Sequence, residues 1–298
     1  MKFKDFKKLF LNTFKRWQTN NISHLAAGLS YYTIFSLVPL LVMCISFGGS
    51  IFGHDFVYSG IFREISDALG KSTANQIQGI ITTYQKPSAN SLNTLLSIII
   101  LIWGGAGFLA ELQNCFNTIW NVQPKPNRHW YKIIKDRFLS FTVVIAIALL
   151  LLISLVFSTF ITRMSDHLHN LMPAATFIWQ VTDILFSLIS VTLLFAVIFK
   201  ILPDVIIKWR DVFFSAFVTA IFFTIGKYLL TLYIAKSNIA SYYGFTSSII
   251  ILLVWVYYSS QILLLGTAFT KVYQEQFHSE IKIDKIAKYK RKASGPMI

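Results

Sequence analysis

The sequence predicts an all-α fold, a polytopic membrane bundle of six transmembrane helices with amphipathic helices at its amino terminus and in its first outer loop. Three observations predict it: six long apolar stretches, a composition too poor in charge for a soluble domain, and a one-sided distribution of Lys and Arg. Hydrophobic residues make up 55% of the chain and charged ones 13%, with a mean hydropathy of +0.58. A soluble domain carries about 25% charged residues.

The stretches run Leu29 to Phe52, Leu92 to Ala110, Phe138 to Ile161, Phe177 to Ile201, Val212 to Ile234 and Ser247 to Lys271. Each is roughly 19 to 25 residues long, enough at about 1.5 Å per residue to cross about 30 Å of hydrocarbon. Together they define a six-helix transmembrane domain over residues 29–271, with an outer cap at 53–91.

Cations set the orientation. The amino-terminal tail carries Lys2, Lys4, Lys7, Lys8, Lys15 and Arg16, and the loop after the second stretch Lys125, Arg128, Lys132, Lys135 and Arg137. Lys200, Lys208 and Arg210 edge the fourth loop, and seven more cations from Lys271 to Lys292 occupy the end of the chain. The opposite side holds only Arg63, Lys71, Lys86, Arg163 and Lys236. The positive-inside rule then predicts both termini in the cytoplasm. The net charge of +14 is mostly this asymmetry. It points to membrane lipids as partners, through anionic headgroups on the cytoplasmic side, rather than to nucleic acid. A second copy of the chain is the other expected partner.

Ahead of the first stretch, Phe3, Phe6, Phe10, Phe14 and Trp17 recur at steps of three and four with cations between them. This is the spacing of an amphipathic helix over the cytoplasmic tail 1–28, lying in the membrane interface or packed on the bundle's cytoplasmic ends. About 28 residues precede the first stretch, which is longer than a signal-peptide core and is expected to be retained. In the outer segment, Phe56, Ile61, Phe62, Ile65 and Leu69, then Ile77, Ile80, Ile81 and Tyr84, keep helical steps on either side of Gly70 and predict two short amphipathic helices. Residues 272–298 form a basic cytoplasmic tail expected to be partly disordered.

Catalytic chemistry finds no support. Cys44 and Cys115 are expected as small apolar fillers, with no disulfide and no metal. His24, His54, His129, His167, His169 and His278 are scattered, and only His167 and His169 stand close, beside Asp166. No phosphate-binding glycine loop occurs. The chain is expected to be no enzyme and to need no cofactor.

The candidate functional residues are the polar ones that hydrocarbon penalises. Asp183 and Lys227 lie about 9 to 10 Å below the outer ends of the fourth and fifth spans, where a lone charge costs several kcal/mol. They are expected either to share a hydrated cavity or to reach the interface separately, Lys227 by snorkelling and Asp183 as a helix cap. Glu111, Asn114 and Thr118 line up at the inner end of the second span, either as a polar mouth or as ordinary interface. Gln261 must find a partner for its amide. Tyr32 and neighbouring hydroxyls surround Pro39, whose ring frees a carbonyl of the first span. Gly104, Gly105 and Gly107 invite close helix approach. The candidate cavity or pathway is thus Asp183, Lys227, Glu111, Gln261, Tyr32 and Asn114.

Four phrases carry a family resemblance: "AAGLSYYTIFSLVPLL" from Ala26, "GAGFLAELQNCFNTIWNV" from Gly105, "ILPDVIIKWRD" from Ile201 and "YYGFTSSIIILLVWVYYSSQILLLG" from Tyr242. In that order they resemble the YihY/BrkB family of bacterial inner-membrane proteins, from about Phe14 to Tyr273. The resemblance implies six spans, cytoplasmic termini and no settled activity, under names that include a virulence role and a ribonuclease BN label. The scattered histidines disfavour RNA cleavage. Many members carry an acid just after the glycine of the last helix, where this chain has Thr267, Ala268 and Phe269 after Gly266. A transporter or exporter-like protein for an ion, solute or amphiphile is expected, with a non-transporting scaffold or envelope-assembly factor as the alternative. No inverted repeat relates the two groups of three spans.

Overall fold

The computed structural model describes residues 3–85, 107–124, 153, 175–236, 246–277, 282–283 and 287–289. Its elements in chain order are α1 (Phe3–Thr19), α2 (Ile22–Phe52), α3 (His54–Leu69), α4 (Lys71–Gln85), α5 (residues 107–120), β1 (Val122–Pro124), α6 (Ala175–Ile201), β2 (Val205–Ile206), α7 (Trp209–Lys236), α8 (Ser247–Phe277), β3 (Lys282–Ile283) and β4 (Ala287–Tyr289).

Four of the described helices are long and apolar enough to cross a membrane: α2, α7 and α8, and the Ile184–Ile201 portion of α6. They match the first, fourth, fifth and sixth apolar stretches. The second and third stretches fall almost wholly outside the described residues. α2 starts seven residues before its apolar stretch and runs to 31 residues, about 46 Å, so its first turns project beyond a 30 Å core. α8 also has 31 residues and continues past Lys271 to Phe277.

Exposed apolar side chains follow the spans. Ile184, Leu185 and Ile189 on α6, and Ile225, Leu229 and Leu232 on α7, are each more than half exposed. A soluble surface would not carry such a band, whereas lipid chains solvate it at no cost.

α6 and α7 form an antiparallel hairpin, α8 packs against both α7 and α2, and α1 lies across the end of α8. The main core sits toward the end that carries α1, here called the basic end. Trp120 and Phe116 of α5, Ile22 and Leu29 of α2, and Phe199 of α6 are buried there with Ala216 of α7 and Ala268 of α8. The opposite, cap end is built by α3 and α4, which turn at Gly70 (φ 85°) and close over α2 through Ile45, Phe62, Ile77 and Ile81. Positive φ makes glycine the natural residue at that turn. The two helices flank Gly70, as the periodicity predicts.

One close approach fixes the crossing of three helices. A Cβ on Gly266 of α8 would collide with the Thr219 side chain of α7 and lie 2.7 Å from Phe199 Cζ of α6. Only a missing side chain lets these helices meet here.

α1 is a helix, as its spacing predicts, and Phe10 and Trp17 of the aromatic stripe pack on the bundle while Phe14 turns outward. Leu9 and Thr13 are buried, and Phe10 packs edge-on against Phe222 and beside Phe269, whereas Phe14 is 56% exposed and stacks on Trp17. The helix therefore docks on the bundle through Leu9, Phe10 and Trp17 and leaves Leu11 and Phe14 outward.

Two short ribbons stitch the basic end. β1, just after α5, pairs antiparallel with β4, and β2, in the α6–α7 turn, pairs antiparallel with β3. The basic tail thus supplies strands to two earlier turns.

Candidate functional site

Gln261 lies on α8 facing α1. Its Oε1 accepts from Trp17 Nε1 at 3.1 Å and its Nε2 donates to Tyr257 Oη at 2.8 Å. An amide in hydrocarbon must satisfy both ends, and here the two aromatic side chains do so.

Glu111 and Tyr32 share the α2–α5 contact. A Cβ on Gly28 would stand 3.8 Å from Glu111 Oε1, and one on Gly107 would stand 3.6 Å from the Tyr32 ring. The two helices pass antiparallel with a glycine at each crossing. Gly107 thus takes part in the expected close approach; Gly104 and Gly105 lie outside the described residues. Cys115 Sγ, one turn after Glu111, lies 3.7 Å from Glu111 Oε1 and 3.8 Å from the Leu25 carbonyl. Burial first, then the neighbouring Glu111 carboxylate, pushes the Cys115 thiol up to about 12. Asn114 is exposed on the same helix.

Lys227 is half-buried on α7, next to Gly226, where the Tyr258 hydroxyl occupies the space a Cβ would need. Asp183 falls on α6, with its side chain outside the described residues. The hairpin register is fixed by Phe195 against Phe223 (5.6 Å between centroids) and by Phe199 and Thr219 at the same glycine. That register sets Val191 level with Lys227 and leaves Asp183 about 12 Å further toward the cap end. The candidates therefore divide into separate places: Glu111 with Tyr32, Gln261 with α1, and Lys227 and Asp183 at different heights.

The best-connected polar groups are ones the sequence reading passed over. Asp204, buried in the α6–α7 turn, accepts from Asn117 Nδ2 at 2.8 Å and Gln113 Nε2 at 3.1 Å, and its own N–H donates to Asn117 Oδ1 at 3.0 Å. Lys271, 3% exposed, donates to the Ile119 carbonyl at 2.9 Å. With the Asn121 amide turned so that its nitrogen faces Thr118 O, Lys271 also donates to the Asn121 oxygen at 3.0 Å. Glu275 stands 3.9 Å from Lys271 and accepts from Arg16 at 2.8 Å. Two signals were available: an acid beside Pro203 in a short, otherwise basic turn, and a lysine still in helical register with the last span.

Two cavities accompany these groups. One, of about 670 Å³, is an apolar cleft between α2 and α8, lined by Ser30, Tyr31, Phe35, Leu252, Leu253 and Tyr257 among others. The other, of about 500 Å³, lies at the basic end between α1, α8 and the end of α5. Among the described residues no three His, Cys, Asp or Glu side chains gather in a metal-ligating group. His129, His167, His169 and His278 lie outside those residues.

Long apolar helices with outward apolar faces, capped at one end and basic at the other, define a helical membrane protein. Comparison with known proteins narrows that class. The family model described as virulence factor BrkB matches residues 13–290, and the chain belongs to that family. It is similar to proteins described as UPF0761 membrane proteins: 28% identical to one from Psychromonas ingrahamii over 89% of this chain and 87% of that one. It is 24% identical to one from Haemophilus influenzae, over 91% and 96%. A Janthinobacterium relative is 26% identical over 89% of this chain, which spans 59% of that longer protein. No solved structure matches.

Proposed function

We propose that this protein is a transporter-like or exporter-like protein of the bacterial inner membrane, both termini in the cytoplasm, and that its cargo is an amphiphile. The apolar cleft between α2 and α8 carries the reading. Its walls are nearly all hydrocarbon, with Ser30, Tyr31 and Tyr257 as sparse hydroxyls, which suits an acyl chain better than an ion or a polar solute. Tyr257 also connects the cleft to α1 through Gln261 and Trp17, so a shift of α1 would be felt at the cleft wall. No reaction is assigned to the site, and no cofactor.

The test is the movement of a fluorescent phosphatidylglycerol between leaflets of proteoliposomes, with and without an imposed membrane potential. Dithionite should bleach well beyond half of the label when protein is present. Leu253→Trp, which fills the cleft from an exposed position, should abolish the excess. Bleaching equal to that of empty vesicles in every condition overturns the reading.

A second reading, a membrane scaffold, is favoured by the reciprocal satisfaction of the polar groups at Asp204 and Gln261. It expects no lipid movement together with loss of envelope integrity when the gene is deleted.

A further inference from the structure

The cavity at the basic end has a composition unlike the cleft. Lys8, Lys15 and Arg16 of α1 line it with Asn20, Asn121 of the α5 terminus and Glu275 of α8. Glu275, the one acid among these residues, is already held by Arg16 at 2.8 Å and faces buried Lys271 at 3.9 Å. Lys8 and Lys15 are exposed, and their ammonium groups have no hydrogen bond or ion pair among the described residues. The cavity thus keeps two uncommitted ammonium groups after its own acid is neutralised. Two amide atoms of its lining residues are buried without a protein partner, the donor Asn20 Nδ2 and the acceptor Gln276 Oε1. A buried donor left unmet is costly and is normally satisfied by something.

A volume of about 500 Å³ falls within the range of small-ligand sites. Point-charge ammoniums plus neutral amide donors match the several acceptor oxygens of a phosphate. The position matters too. Leu11 and Phe14 are exposed on the same helix, so α1 presents apolar side chains beside its cations, the arrangement of a segment at headgroup depth.

We propose that this cavity is a binding site for one phosphate-bearing anion, held by Lys8 and Lys15 with Asn20 as a neutral donor. The site requires nothing to cross the membrane and stands independently of the transport reading.

The experiment is equilibrium binding to the full chain in uncharged detergent, with dioctanoyl phosphatidic acid and inorganic phosphate as separate probes. Saturable binding near one per chain is expected. Preference for the lipid identifies a headgroup as the source, and equal affinity identifies free phosphate. Lys8→Gln with Lys15→Gln should weaken binding about 30-fold while leaving elution and melting unchanged, because both side chains are exposed. Lys208→Gln with Arg210→Gln, an equal charge loss at the same end, should leave binding within about twofold. Absence of saturable binding by both probes, no effect of the first pair, or an equal effect of the second pair would each overturn the site.

Discussion

Asn117 and Asp204 grip each other reciprocally: the Asn117 amide donates to the Asp204 carboxylate at 2.8 Å, and its oxygen accepts the Asp204 backbone N–H at 3.0 Å. One side chain on α5 thereby fixes both the charge and the backbone of the α6–α7 turn. Asn117→Ala is expected to leave a buried carboxylate short of a donor, costing about 2 to 3 kcal/mol. Detergent-solubilised protein should melt several degrees lower. Asp204→Asn, which removes the charge along with the strong acceptor, should cost less.

Lys271 serves a helix terminus. It lies against the Ile119 carbonyl at the end of α5, where a cation complements the last unpaired carbonyls. Lys271→Met keeps the aliphatic stem and removes the donor, and a loss of about 1 to 3 kcal/mol is expected. Coupling to Glu275→Gln in a double-mutant cycle should be positive; strict additivity would separate the two residues.

At Gly266, any side chain must displace Thr219 and Phe199. Gly266→Ala should destabilise by about 1 to 3 kcal/mol, and Thr219→Ala in the same chain should restore part of that. Thermal melts of the single and double variants decide it. A Gly266→Ala protein as stable as the parent would mean that the three helices do not meet there.

Cys115 should resist alkylation. With its thiol pushed up to about 12, almost none is thiolate at pH 8, and burial adds a steric barrier. Maleimide should label it only after denaturation. Glu111→Gln removes one of the influences raising the thiol and should speed labelling at pH 9 in the folded state.

The helices were legible because hydrocarbon demands long uninterrupted apolar runs, and four of the expected runs coincide with described helices. The cap was legible because Gly70 interrupts an otherwise regular periodicity. The docking of α1 was legible in part: Phe10 and Trp17 of the aromatic stripe pack on the bundle, Phe14 faces outward, and Leu9 and Thr13 join the contact. Asp204 and Lys271 escaped. Charge counting treats a cation or an acid near a span end as loop, while their partners Asn117 and Ile119 lie 87 and 152 residues away in sequence. Counting from each span's own end sets Asp183 and Lys227 at one depth, whereas the edge-to-face contact of Phe195 with Phe223 sets the register of the hairpin.

The ribbons at the basic end have a consequence for how the chain is made. β1 and β2 are complete long before residues 282–289 are synthesised, so each waits with an open hydrogen-bonding edge while later helices enter the bilayer. Closure waits for residues 282–289. A bulky fusion placed just beyond α8 would leave both edges available to a neighbour's strand and turn a late folding step into an opportunity for aggregation.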